Sequence, residues 1–273
     1  MTAPRIAAAF EHAKAEGRLA LVTHVIPGYP SREETPAIFD AMVEGGSDLI
    51  EVQIPFSDPL ADGTTVQRGV FEALANGITP ADCVEFAREA RARHPDVAII
   101  FMSYLNPVLA YGTERFARDA AAAGGDGIIL LDLPPEEAAA AKRTFDAAGI
   151  DIIFLVAPTS SDERLKLIAS QAAGFIYCVS VAGVTGARRE LPPDLRDFVG
   201  RMRRCTPLPL AVGFGISRRE HVEALAGVAD GAVIGSATMD LINSLQPGQR
   251  TASVREYVET LAGRRQPSDA PAT

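Results

Sequence analysis

Cysteine, histidine and lysine are scarce in this 273-residue chain, and each scarcity argues against a class of chemistry. The three cysteines, Cys83, Cys178 and Cys205, are widely spaced and form no CxxC pair. They offer neither a disulfide framework nor a zinc template, and are expected to stay thiols in a reducing compartment. The four histidines, His12, His24, His94 and His221, match no ligand spacing such as HExxH, so no metal site is expected. The only lysines, Lys14, Lys142 and Lys166, fall in helical stretches away from any strand end, which argues against a Schiff-base aldolase. No basic block interrupts a net charge of -9, so a footprint for a nucleic-acid backbone is missing; a bound phosphate would have to be held locally by main-chain N–H groups. No apolar run approaches the roughly 18 residues that cross a bilayer, and the N-terminus reads as a charged helix, so a cytoplasmic location is expected.

What the chain does have is hydrophobic content, 47%, enough to bury one large core at a length close to the typical barrel size of about 250 residues. Short β-rich runs alternate with longer Ala-rich stretches of helical period, the pattern of parallel strands joined by helical crossovers. Eight strands are predicted, over residues 19–24, 48–54, 97–102, 127–131, 150–156, 175–180, 208–213 and 231–235. Helices are predicted over residues 32–44, ended by Gly45 and Gly46, and after Pro134 and Pro135, closed by Gly149. Residues 236–262 read as the last helical unit. The expected fold is one α/β domain, a single (β/α)8 TIM barrel over residues 1–263. An extra N-terminal helix from Pro4 to Glu16 would cover one end, and residues 264–273 would form a disordered tail. An open, doubly wound sheet is the alternative, because strand order is not written in the pattern.

In the second predicted strand Ile50, Val52 and Ile54 alternate with Glu51 and Gln53, so if the apolar set faces the helices, a carboxylate points into the barrel. A carboxylate there is costly unless paired or put to use, and strand C-terminal ends are where barrel enzymes hold reacting groups. The loop after it, PFSDPLADG at residues 55–63, carries Asp58 and Asp62; composition alone also allows both as turn or cap residues. Three glycine-bearing segments, VAGVTGAR, GFGIS and GSA, follow the sixth, seventh and eighth strands, where barrels commonly bind phosphate. Tyr177 has inward parity in the sixth strand, and Tyr104 and Asp132 sit just past strand ends.

Taken in order, IEVQIPFSDPLADG, LLDLPPEE, SVAGVTGAR and VGFGIS resemble the tryptophan synthase alpha subunit family, with similarity running from about residue 5 to 262. The resemblance implies a lyase that cleaves indole-3-glycerol phosphate to indole and glyceraldehyde 3-phosphate. It implies that Glu51 is the general acid/base, that Asp62 holds the indole N–H, and that Tyr177 borders the substrate near Glu51. Gly186, Gly215, Gly235 and Ser236 would bind the phosphate with Phe214 close by, and Thr185 would engage the Asp62 loop on closure. It also implies a beta-subunit partner that carries pyridoxal phosphate and receives indole through a tunnel in an alpha-beta-beta-alpha heterotetramer, with no cofactor in this chain. Asp58 and the segment from Asn106 to Leu109 match surfaces facing that partner.

Three positions depart from the family pattern: Gln53 stands where Gly is usual, Thr64 replaces a Pro, and VIPGYP replaces T-A-G-[DY]-P. Gln53 adds bulk and an amide to the expected indole pocket. An unpartnered indole-producing lyase, or an allosteric partner whose pocket Gln53 has spoiled, are the alternative functions.

Overall fold

Eight parallel strands close into a barrel in chain order in the computed structural model, which describes residues 3–179, 194–213 and 215–265. They are β1 (Ala20–Val25), β2 (Leu49–Gln53), β3 (Ala98–Ser103), β4 (Gly127–Leu130), β5 (Asp151–Val156), β6 (Ile176–Val179), β7 (Leu210–Gly213) and β8 (Gly231–Ile234). All eight fall on predicted runs. The pairing of β1 with β8, from Ala20 against Gly231 to Thr23 against Ile234, closes the sheet and rules out the open alternative.

Strand parity sorts the apolar side chains into two layers. Ala20, Val22, Leu49, Ile100, Ile129 and Phe175 fill the barrel interior, whereas Leu21, Val25, Ile50, Val52, Phe101 and Ile128 pack outward against the helices. The helix Pro4–Ala15 plugs the N-terminal end as expected: Ile6, Phe10 and Ala13 join the interior layer, and the rings of Phe10 and Phe175 lie 5.6 Å apart.

The same end is sewn together by aspartates that directly precede strands. Asp48, before β2, accepts the Leu21 N–H at 2.8 Å; Asp126, before β4, accepts that of Ile99 at 2.9 Å; Asp230, before β8, accepts that of Leu210 at 2.7 Å. Each therefore ties its own strand to the previous one, and each also takes an arginine, Arg18, Arg91 and Arg203 respectively. Asp151 holds the plug by accepting the Ala3 N–H at 2.7 Å.

Helix starts differ from expectation where the first turn is tighter than an α-helix. The chain after Pro134 winds through Glu137 N–H to Pro134 O and Ala138 N–H to Pro135 O contacts, so the helix itself is Ala139–Ala148. The helix predicted from residue 32 begins at Thr35, whose hydroxyl donates to Ser31 O at 2.6 Å and so shapes a turn first. Gly46 and Gly149 end their helices in the left-handed region, where glycine carries no side-chain penalty. Residues 236–262 divide into Ser236–Ser244 and Arg250–Ala262 about a 3-10 turn at Pro247–Gln249. No helix among the described residues is long and apolar enough to cross a membrane.

Candidate active site

At the C-terminal ends of the strands a cavity of about 240 Å³ opens inside the barrel. Glu51 and Gln53 of β2 both line it, which follows from their parity with Leu49 of the interior layer. Glu51 is 2% exposed, and its Oε1 has no hydrogen-bond partner among the described residues. Burial alone raises its carboxyl to about 8, so at neutral pH the site holds a carboxylic acid with a proton to give.

Asp62 reaches the cavity from the loop after β2. Burial raises its carboxyl to about 6, against the opposing pull of hydrogen bonds from Tyr104 and Gln53. The Tyr104 hydroxyl donates to Asp62 Oδ2 at 3.1 Å and accepts the Ala61 N–H at 2.9 Å, which fastens the loop to the end of β3. Two carboxyls in one cavity, one protonated and the other ionised near neutrality, are suited to proton transfer beside a developing positive charge.

Tyr177 enters from β6, and burial first, then the charges of Glu51 and Asp62, push its hydroxyl well above the usual phenol range. Its ring lies so close to Gly213 that a Cβ there would stand 2.6 Å from ring carbon Cε2; only glycine admits the tyrosine. Past the ends of β7 and β8 the lining turns to small residues. Gly215 sits at φ +73°, a Cβ on Gly235 would meet nothing within 4 Å, and Ser236 begins the helix Ser236–Ser244 with no side-chain cap. Such an uncapped helix start aims free N–H groups at a bound anion.

The structure thus brings Glu51, Gln53, Asp62, Tyr177, Gly215, Gly235 and Ser236 to one cavity, with Tyr104 bonded to Asp62 at its edge. Asp132 is exposed and does not line this cavity; its carboxylate accepts the Leu105 N–H at 2.7 Å at the start of the helix Leu105–Tyr111. On that helix Asn106 is exposed and Leu109 is 57% exposed; Asp58 is exposed on its loop and accepts the Ser57 hydroxyl at 2.7 Å. Thr185, Gly186 and Phe214 lie outside the described residues.

His24 is the site residue that sequence reading overlooked. It shares the inward parity of Ala20 and Val22, which was legible, but only the pairing of β1 with β2 sets it directly beside Glu51. It lines the cavity, and burial lowers its imidazole to about 4, so it is neutral.

Residues 10–266 match the family model described as Tryptophan synthase alpha chain. The chain belongs to this family. It is 48% identical to the Tryptophan synthase alpha chain of Roseiflexus sp. (strain RS-1), over 95% of this chain and 99% of that one. A segment covering 92% of this chain and 36% of the Saccharomyces cerevisiae Tryptophan synthase is 45% identical. Among solved structures, Mycobacterium tuberculosis tryptophan synthase superposes with a TM-score of 0.88 at 36% identity, covering 96% of this chain and 98% of that one. The alpha subunit from Legionella pneumophila str. Paris gives 0.86 at 34%, covering 96% and 99%.

Proposed function

We propose that this member of the tryptophan synthase alpha chain family is a carbon-carbon lyase of tryptophan biosynthesis. One domain, residues 1–263, would cleave indole-3-glycerol phosphate to indole and D-glyceraldehyde 3-phosphate. The observation that carries the reading is a buried, unpartnered Glu51 carboxyl in the same cavity as Asp62 and the open Gly235–Ser236 helix start.

In the retro-aldol route Glu51 delivers its proton to indole C3, which places positive charge on the ring nitrogen. Asp62, ionised, accepts the ring N–H and stabilises that charge. The C3 to C3' bond then breaks, its electrons returning to the ring, while the C3' hydroxyl gives its proton to the Glu51 carboxylate and becomes the aldehyde. One proton leaves Glu51 and one returns, so the acid is ready for the next turnover. Tyr177 flanks the reacting bond. The phosphate rests on the main chain at Gly215, Gly235 and Ser236, with Gly186 and Phe214 completing its grip. Thr185 closes over the Asp62 loop, and closure excludes water. Gln53 borders the ring.

The chain works with a beta subunit in an alpha-beta-beta-alpha heterotetramer; pyridoxal phosphate belongs to that partner, and this chain needs no cofactor of its own. Exposed Asp58, Asn106 and Leu109 form the facing surface. That the matching segment is only 36% of the yeast Tryptophan synthase supports action beside a further unit.

The test is indole release from indole-3-glycerol phosphate by the purified protein, with and without a beta subunit. Indole in both, faster with the partner, is the expected result. No indole under either condition overturns the reading, and an unchanged kcat on adding the partner assigns a stand-alone lyase instead.

A further inference from the structure

Three side chains, His24, Gln53 and Asp62, form a line from β1 to the loop after β2. His24 Nε2 and Gln53 Oε1 lie 2.7 Å apart, and because an amide oxygen only accepts, the imidazole carries its proton on Nε2 and donates it. The Gln53 amide therefore turns its nitrogen the other way, and Nε2 donates to Asp62 Oδ2 at 2.9 Å. Tyr104 donates to the same oxygen at 3.1 Å. Oδ2 is thus engaged twice, while Oδ1 has no protein partner among the described residues. His24 is 3% and Gln53 1% exposed, so water does not substitute for a missing link. His24 Nδ1, the remaining acceptor of the ring, has no partner among the described residues, so Gln53 is the contact that orients the imidazole, as the imidazole orients the amide.

We propose that Gln53, itself oriented by His24, is a positioning residue for Asp62: it holds that carboxylate turned so that Oδ1 is left for the N–H of the bound ring. The proposal rests on the indole-releasing reading above and assigns His24 a place in it. A glutamine that merely filled the pocket would need no donor aimed at Asp62 and no histidine to fix its flip. Bonding to an ionised carboxylate also favours the charged form, which the reaction needs.

The groups facing Asp62 are Tyr104 from the end of β3, Tyr177 from β6, Glu51 and Gln53 from β2 and, through Gln53, His24 from β1. The tyrosines titrate above the neutral range and His24 below it, so the acid limb of the rate profile belongs to Asp62 and the alkaline limb to Glu51.

Gln53→Met keeps the length and removes the amide; His24→Phe keeps a ring and removes the donor. In Gln53→Met, kcat for indole release is expected to fall by about ten- to a hundredfold, the range for a lost hydrogen bond to a charged group, with KM changed far less. Its acid limb should move to higher pH. His24→Phe should move both in the same direction by less, because the amide survives but is free to flip. In an Asp62→Asn background Gln53→Met should add nothing. A carbon-13 titration of the Asp62 carboxyl by NMR, in ligand-free protein, reads the same shift without relying on turnover. Wild-type acid limbs and kcat in both variants, or a Gln53→Met loss that persists undiminished in the Asp62→Asn background, would overturn the proposal. If the wild-type protein releases no indole, the proposed reaction fails, while the NMR titration still decides whether Gln53 holds Asp62.

Discussion

The two ends of the barrel treat their carboxylates in opposite ways. At the N-terminal end Asp48, Asp126 and Asp230 each receive a main-chain N–H and an arginine, and the helix Pro4–Ala15 seals the opening. At the C-terminal end Glu51 Oε1 and His24 Nδ1 are buried with no partner among the described residues, and Asp62 keeps one oxygen free of them. The first arrangement ties strands together; the second stores unmet hydrogen-bonding capacity for a substrate. One closed sheet supplies both, because strand starts and strand ends are separated by the length of the barrel.

The contrast is sharpest in the variant with the largest expected effect. Glu51→Gln should lose about 10²- to 10⁴-fold in indole release, the usual contribution of a general acid or base, while folding as well as the wild type or better. The sign follows from burial. The Glu51 carboxyl titrates near 8 in the folded protein against an ordinary value of 4.5, so between those limits the folded state keeps a proton that the unfolded state releases. Wild-type stability therefore falls as pH rises through that window, and the advantage of Glu51→Gln should be larger at pH 8 than at pH 5 in urea unfolding. A variant that is less stable at pH 8 would break the comparison.

At the other end the effects exchange places. Asp126→Ala removes the partner of Arg91, which is mostly buried, and leaves the Ile99 N–H unbonded. A loss of about 3–5 kcal/mol in denaturant unfolding is expected, with kcat of the remaining folded protein unchanged. A fall in kcat with stability intact would show that the two ends are not separate in function.

A smaller effect is the pH dependence of kcat/KM in the wild type. Asp62 near 6 must be ionised and Glu51 near 8 protonated, which gives a bell between those values, with roughly tenfold losses one pH unit beyond either limb. A flat profile from pH 5 to 9 would remove one carboxyl from the chemistry. Smallest of all is Arg5→Ala. Arg5 also bonds Asp126, at 3.1 Å, but its side chain is 41% exposed, and a pair so placed contributes at most about 1 kcal/mol. Comparing Arg5→Ala with Asp126→Ala separates the carboxylate's value to the fold from that of one exposed cation.

Most of the barrel was legible because period-2 and period-3.6 patterns are local. The alternation of Ile50, Val52 and Ile54 with Glu51 and Gln53 placed the carboxylate inward, and β2 lies as that alternation requires. Helix starts were less legible, since the turns before Thr35 and Ala139 depend on main-chain and hydroxyl bonds that composition does not display. Asp132 was ambiguous for a similar reason: a carboxylate just past a strand end suits a pocket and a helix start equally well, and here it accepts the Leu105 N–H. The aspartates before β2, β4 and β8 look like ordinary polar residues at strand starts until neighbouring strands are set side by side.

By itself, the sequence determined which side of each strand meets the interior, where glycines free the main chain, and which acids stand near strand ends, because these follow from spacing along one stretch of chain. Only the tertiary structure decided that β1 closes on β8, that His24 falls beside Glu51, and that Gln53 spans from His24 to Asp62. Those are relations between segments far apart in the chain. The energy of burying an amide or a carboxyl depends on the partner that the closed sheet brings to it.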